Sequence, residues 1–275
     1  MAYRHLILER REDVALITLN RPARANAMHR PLLDEMTRAC AEVEADEGVR
    51  VVVLTGAGTA FSSGFDLKEQ AENPPEGVAG WRAVLRQDFD AVMRFWHLGK
   101  PSIAAVQGPA LASGFELACA CDITIAGEDA VFGEPELKFG AGIVVMLLPW
   151  LAGPKLAKEI FFTGADRIPA RRAYEMGLVN RVVPTGEELE SALAIAREIA
   201  VIDPNLVRQT KLAVNRSMEL MGMGEALEMA LDIDLHIEAE GSPDKRAFLD
   251  IARRDGLRAA LAWRDARFAA ARGAG

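Results

Sequence analysis

The chain has 275 residues, half of them hydrophobic, with 40 acidic against 32 basic side chains and a net charge of −8. That length suits one large domain, or one domain with a helical extension. The acid excess argues against a nucleic-acid face, which needs clustered Lys and Arg. Three cysteines without a CxxC pair (Cys40, Cys119 and Cys121) argue against a disulfide scaffold or a structural zinc site and fit a reducing, cytoplasmic setting.

Read in chain order, His5–Glu9 and Val14–Asn20 form a strand pair turning over Arg10–Asp13, not a signal peptide. Pro31–Asp46 is helical, with Leu32, Met36, Ala39 and Val43 on one face. Arg50–Thr55 is a buried strand, followed by a loop over Gly56–Phe61. Trp81–His97 is a second helix, Ser102–Val106 a second buried strand, Leu111–Cys121 a turn into a short helix and Asp122–Ala126 a third strand. Strand, Gly-rich turn and helix thus recur, which predicts an α/β core of repeated units over residues 1–200.

The longest apolar run, Gly140–Gly153, is too short to span a membrane and contains Pro149, so the protein is expected to be soluble, with no membrane partner. From residue 186 onward the pattern is helical (Gly186–Val201, Pro204–Glu219, Gly224–Glu240, Pro243–Arg254 and Leu257–Ala271), punctuated by Gly and Pro. Residues 201–275 are expected to form a helical region that packs on the core or on a partner subunit, because an uncovered apolar face would otherwise meet water.

Two small-residue turns directly follow buried strands: Phe61–Lys68 (FSSGFDLK) and Gly108–Ala118 (GPALASGFELA). Turns at strand carboxyl ends are where α/β proteins place ligands, and backbone N–H groups from two such turns can hold a developing oxyanion. Taken singly, Gly64 and Gly114 are equally read as residues that permit tight packing. Neither turn is a dinucleotide fingerprint, and the chain has no GxxxxGK[ST] and no GxSxG.

Glu116 lies just inside the short helix among Phe115, Leu117 and Ala118, and Glu136 follows in FGEPEL. Apolar surroundings raise a carboxyl's pKa and suit it to general acid or base work near neutrality. The alternatives are helix-start electrostatics for Glu116 and a solvated turn acid for Glu136. His5, His29, His97 and His236 have no ligand-like spacing, and no metal site is expected.

These residues resemble the enoyl-CoA hydratase/isomerase (crotonase) family. The resemblance is carried by Leu19–Met28 (LNRPARANAM), Phe61–Leu67 (FSSGFDL), Ile103–Asp122 (IAAVQGPALASGFELACACD), Phe132–Glu136 (FGEPE) and Gly177–Pro184 (GLVNRVVP), in the family's order over roughly residues 1–185. It implies a spiral of repeated ββα units with a C-terminal helical region that makes a homotrimer or a dimer of trimers. It implies an acyl-CoA substrate and no cofactor, coenzyme A being part of the substrate. It places the oxyanion-hole N–H groups on Phe65 and Ser113. Glu116 would activate water and Glu136 would protonate the enolate. Arg24, Ala25, Ala27, Ser63, Gly64, Asp66, Leu67 and Gly114 would contact substrate or coenzyme A.

Retention of both acids favours hydration of a 2-enoyl-CoA. Double-bond isomerisation, cleavage or hydrolysis of an acyl-CoA is the alternative, and a non-catalytic acyl-CoA-binding protein a third. Three departures from the family pattern stand out. Ala112-Ser113-Gly114 replaces a Gly-Gly-Gly run. Gly140–Pro149 replaces a Gly-rich segment, so that Ile143, Val144, Met146 and Leu147 border the acyl pocket on the resemblance, whereas plain core packing is the first reading of such an apolar run. Arg24 sits one position from a usual Lys, and Trp263, followed by Arg264, stands where a phosphate-reaching Lys is often found.

Overall fold

A computed structural model describes residues 3–272. The N-terminal strands β1 (Leu6–Arg11) and β2 (Val14–Leu19) pair antiparallel, with Leu6 opposite Leu19 and Arg11 opposite Val14. α1 (Arg30–Ala45) starts one residue before the proline that suits a first helical turn. It buries Leu32, Leu33, Met36, Ala39 and Val43, the face expected from the sequence. β3 (Val51–Gly56) runs parallel to β2. α2 (Leu67–Glu72) is capped by the Asp66 carboxylate, which accepts from the Lys68 and Glu69 N–H groups. α3 (Gly77–His97) starts four residues before the expected Trp81.

β4 (Ser102–Val106), the short β5 (Pro109–Leu111) and α4 (Ser113–Ala120) follow. β6 (Ile123–Gly127) pairs parallel with β4. Beyond β7 (Val131–Gly133) come α5 (Leu148–Leu151), α6 (Pro154–Thr163), β8 (Ile168–Pro169), α7 (Ala170–Glu175) and β9 (Arg181–Val183). The main sheet has the order β1-β2-β3-β4-β6-β9, and a small one has the order β5-β7-β8.

β3 and β4 are buried at every position, which their apolar, β-branched-rich sequences require of central parallel strands. Alternate residues serve opposite faces. Val52, Leu54, Ala104 and Val106 join the main core with α1, α3 and α4. Val51, Val53, Ile103 and Ala105 pack instead on Ala192, Leu193 and Ala196 of α8 (Glu188–Ala200).

The helical region comprises α9 (Pro204–Leu220), α10 (Met223–Glu240), α11 (Pro243–Asp255) and α12 (Leu257–Arg272). α10 lays Met223, Leu227, Leu231 and Leu235 into the main core. α9 has no fully buried residue and leaves Leu206, Leu212, Val214 and Leu220 exposed. Among the described residues, no helix is long and apolar enough to cross a membrane.

Candidate active site

Three backbone segments run side by side beyond the strand ends. Phe61–Asp66 lies in the middle. On one side, Ser63 N–H donates to the Ala25 carbonyl (2.9 Å), Met28 N–H to Gly64 O (2.8 Å) and Asp66 N–H to Met28 O (3.0 Å). On the other, Ser62 N–H donates to Pro109 O (3.2 Å) and Leu111 N–H to Ser62 O (2.9 Å). Buried Asn26 fixes the first junction: its amide Nδ2 donates to Ala57 O and Ala60 O, and its Oδ1 accepts from Arg21 N–H. A second hold comes from Arg21, whose guanidinium pairs with Asp66 at 2.9 Å.

Glycine is required where these segments meet. Gly64 has φ +89°, and a Cβ there would lie 2.8 Å from Ala112 Cβ and 3.0 Å from Leu111 O. A Cβ on Gly114 would run into the Ser62 carbonyl. Neither glycine lines the cavity described next, so the packing reading holds for both, and direct contact with a ligand does not follow for either.

The cavity beside these turns has a volume of about 730 Å³. Of the residues expected at the site, Arg24, Ala25, Ala27, Ser63, Phe65, Asp66, Leu67, Ser113, Glu116 and Glu136 all line it. The backbone N–H of Phe65 points at the second turn and donates to the Ser113 hydroxyl at 3.0 Å. Ser113 is the first residue of α4, so its own N–H has no acceptor within the helix. Ala112, immediately before it, holds φ 55° and ψ −136°, a conformation that L side chains rarely adopt. Its N–H is tied to Gly133 O (2.7 Å) and its carbonyl accepts from Phe115 and Glu116 N–H groups.

Both acids are buried, at 1% exposure for Glu116 and 9% for Glu136, so Glu136 is no solvated turn acid. Glu116 accepts from Val145 N–H at 3.1 Å. Burial, and next the negative charge of Glu136, raise the Glu116 carboxyl well above its ordinary range. Burial pushes Glu136 up to about 7. Glu134 is a third, fully buried carboxyl, raised by burial and then by the charges of Glu136 and Glu116. Two of these three side chains thus sit at a polar, low-dielectric cavity wall with pKa values moved toward neutrality, as proton-transfer chemistry requires.

The apolar run after Glu136 divides between core and cavity. Ala141, Gly142 and Val144 line the cavity, but Ile143, Val145 and Leu147 turn into the main core and Met146 packs against it. Val145 reaches the site only through its N–H. At the exposed side, Arg24 and Lys68 stand at the rim, and α12 covers part of the opening with Leu257, Leu261 and Arg264. Trp263 packs into a small apolar cluster with Phe248 instead.

Sequence reasoning did not find Glu134, nor five charged residues beyond the acids: Arg30, Asp88 (α3), Asp234 and Glu238 (α10) and Lys245 (α11), all but Asp234 lining the cavity. Asp234 and Glu238 are four apart on α10, the spacing that puts two residues on one helix face and the one signal that was available. Among the described residues, no group of three or more His, Cys, Asp or Glu side chains is arranged to hold a metal ion.

A short-chain-enoyl-CoA hydratase of Clostridium acetobutylicum is 39% identical over 230 residues, covering 80% of this chain and 84% of that protein. A crotonyl-CoA hydratase of Syntrophomonas wolfei is 34% identical over 274 residues, covering 98% and 99%. A crystal structure of an enoyl-CoA hydratase/isomerase from Xanthobacter autotrophicus Py2 superposes with a TM-score of 0.95 at 62% identity, covering 97% of this chain and 99% of that one. Residues 9–246 match the enoyl-CoA hydratase/isomerase family, and with these relatives the chain belongs to it.

Proposed function

We propose that this protein is an enoyl-CoA hydratase that adds water syn across the double bond of a 2-enoyl-CoA thioester. The observation that carries the reading is the convergence of two buried carboxyls, Glu116 and Glu136, on one cavity with the N–H groups of Phe65 and Ser113. The N–H pair donates to the thioester oxygen and stabilises the charge it gains as the enolate forms, a role for fixed dipoles in a water-poor site. Glu116 takes a proton from water as its oxygen bonds to C3, and Glu136 gives its proton to C2. The carboxylate form of Glu116 is supported by Val145 N–H, and protonation of Glu136 removes the neighbouring charge that otherwise opposes it. The reaction returns one proton to the pair for the one delivered.

The names of the relatives from Clostridium acetobutylicum and Syntrophomonas wolfei support the same chemistry. Arg24, Lys68 and Arg264 at the rim offer cations for the phosphates of coenzyme A, and guanidinium suits phosphate geometry. The exposed apolar side chains of α9 support a homotrimer or a dimer of trimers. The three cysteines, all buried and free, are in keeping with a cytoplasmic location. The test is loss of the conjugated-thioester absorbance when crotonyl-CoA and longer 2-enoyl-CoAs are added. A folded preparation that binds CoA esters but turns over no enoyl-CoA rejects the reading.

A further inference from the structure

The buried end of the cavity is not hydrocarbon. Val84 and Leu85 contribute apolar surface there, but beside them stand Arg30, Asp88, Glu238 and Lys245. Asp88 is 3% exposed, Glu238 5% and Lys245 3%. Arg30 pairs with Asp88, and Lys245 pairs with Glu238 while lying 4.4 Å from the centre of the Trp81 ring. Asp234, 2% exposed, packs directly beneath Gly142, and neither of its carboxylate oxygens has a hydrogen-bond partner. The Gly142 N–H that would otherwise be free donates to Glu238 at 3.0 Å.

Three acids that line the cavity here (Glu69, Asp88 and Glu238) therefore stand against two cations (Arg30 and Lys245), with Asp234 behind the wall against Gly142, so acid is in excess. Burying charge against a purely aliphatic ligand would leave these groups desolvated with no compensation. Their own environment already resists it: burial pushes Asp234 up to about 6 and Asp88 up to about 7, and pushes Lys245 down to about 7. A wall with surplus acceptor oxygen is completed by a ligand that donates hydrogen bonds.

We propose that the acyl chain of the preferred substrate carries a hydrogen-bond donor, a hydroxyl or an amine, beyond the reacting double bond, and that Asp88, Glu238 and Lys245, backed by Asp234, form the subsite that receives it. The inference rests on the hydratase reading above and names its substrate class. Arg30 and Lys245 are held by their acid partners, so a terminal carboxylate meets the surplus acid and is disfavoured. A plain alkyl end leaves the excess acid of the wall without a donor. Sites built to hydrogen-bond a substrate group reject the analogue lacking it far more strongly than apolar pockets reject a missing methylene.

The experiment compares matched 2-enoyl-CoA esters ending in methyl, hydroxyl, ammonium or carboxylate, across a range of chain lengths, by kcat/KM. The expected result is a preference of about tenfold or more for the hydroxyl or the ammonium ester over the methyl ester, with the carboxylate poorest. Hydroxyl ahead assigns a neutral donor, ammonium ahead a cationic one, and both uphold the subsite. A methyl ester that matches or exceeds both overturns it. Binding of the corresponding saturated CoA esters by calorimetry separates this inference from the reading beneath it. A hydroxyl or ammonium preference in binding without hydration of any enoyl ester sinks the hydratase and keeps the subsite; hydration with a methyl preference does the reverse. The near-isosteric variants Asp88→Asn and Glu238→Gln are expected to shrink the preference several-fold while circular dichroism stays native. An unchanged preference in both folded variants also counts against the subsite.

Discussion

The two turns that bring N–H groups to the cavity solve the same problem with different residues. The first, after β3, reaches its conformation through Gly64 at φ +89°, where a missing Cβ makes the left-handed backbone inexpensive. The second, before α4, forces Ala112 into φ 55° although it carries a Cβ. Strain at a non-glycine residue persists only where surroundings over-determine it. Here the Gly133 carbonyl, the Phe115 and Glu116 N–H groups and the Cβ-to-Gly64 packing do so. The first turn is free to adopt its shape, whereas the second is held in it. Positioning therefore depends more on what surrounds the second turn than on the turn itself.

The strongest way to probe the held turn is through the carboxyl it carries. Glu116→Gln keeps size and the Val145 contact but cannot take a proton, and kcat for hydration should fall by about 10³-fold or more. Steady-state kinetics with crotonyl-CoA checks this, and Glu136→Gln should match it, with the double variant little worse than either. A one-base isomerase, in contrast, would barely notice Glu116→Gln.

The joint between the turns comes next. In Gly114→Ala the new Cβ meets the Ser62 carbonyl and, at 2.9 Å, its carbonyl carbon, so the two turns must separate. A displacement near 1 Å costs roughly 10²-fold in rate. That loss in kcat, with a native circular dichroism spectrum, is expected.

A third measurement asks what state the acids are in. Glu136 must be protonated to deliver its proton, and its folded pKa lies at about 7, above the ordinary carboxyl value. The raised value extends the protonated form upward in pH. The sign is then fixed: kcat/KM holds on the acid side of 7 from this group and falls about tenfold per pH unit above it. A profile flat to pH 9 would remove Glu136 from the role of proton donor.

The smallest effect tests strain directly. Ala112→Gly should relieve about 1 kcal/mol of left-handed backbone cost, offset by the greater freedom of glycine in the unfolded chain. The net change in melting temperature is expected to lie within about 4 °C, in the stabilising direction if strain dominates. Gly64→Ala should be destabilising under the same conditions, and an equal response at both positions would erase the contrast between the turns.

Much of this site was legible in the sequence because it is local. Phe65, Ser113 and Glu116 each lie within a few residues of a glycine that follows a buried strand, and Glu136 lies in a short Gly-Glu-Pro-Glu turn. The strands themselves were readable from runs such as Val51–Leu54, since central parallel strands need apolar side chains on both faces. The buried charged wall was not. Asp88, Glu238 and Lys245 come from three helices separated by up to 157 positions, and a charged residue on an amphipathic helix reads as solvated. The apolar run after Glu136 left two readings open for a related reason. Without helical or strand periodicity, nothing in Ile143–Leu147 says which residues turn inward, and the core took Ile143, Val145 and Leu147. The functional meaning of Gly64 and Gly114 was equally hidden, because glycines that touch ligand and glycines that let two backbones meet have the same letter.

The bond from Phe65 N–H to the Ser113 hydroxyl has a consequence for selectivity. An acceptor arriving at that N–H does not find a dangling donor; it displaces an oxygen already in place. For a neutral carbonyl the trade is close to even, so occupancy alone gains little. An oxygen that has taken on a full negative charge wins the exchange clearly, since ionised acceptors bind N–H groups about twice as strongly as neutral ones. On the oxyanion-hole assignment proposed above, the serine that stands in for glycine would act as a threshold, admitting the charged intermediate more readily than the resting ester.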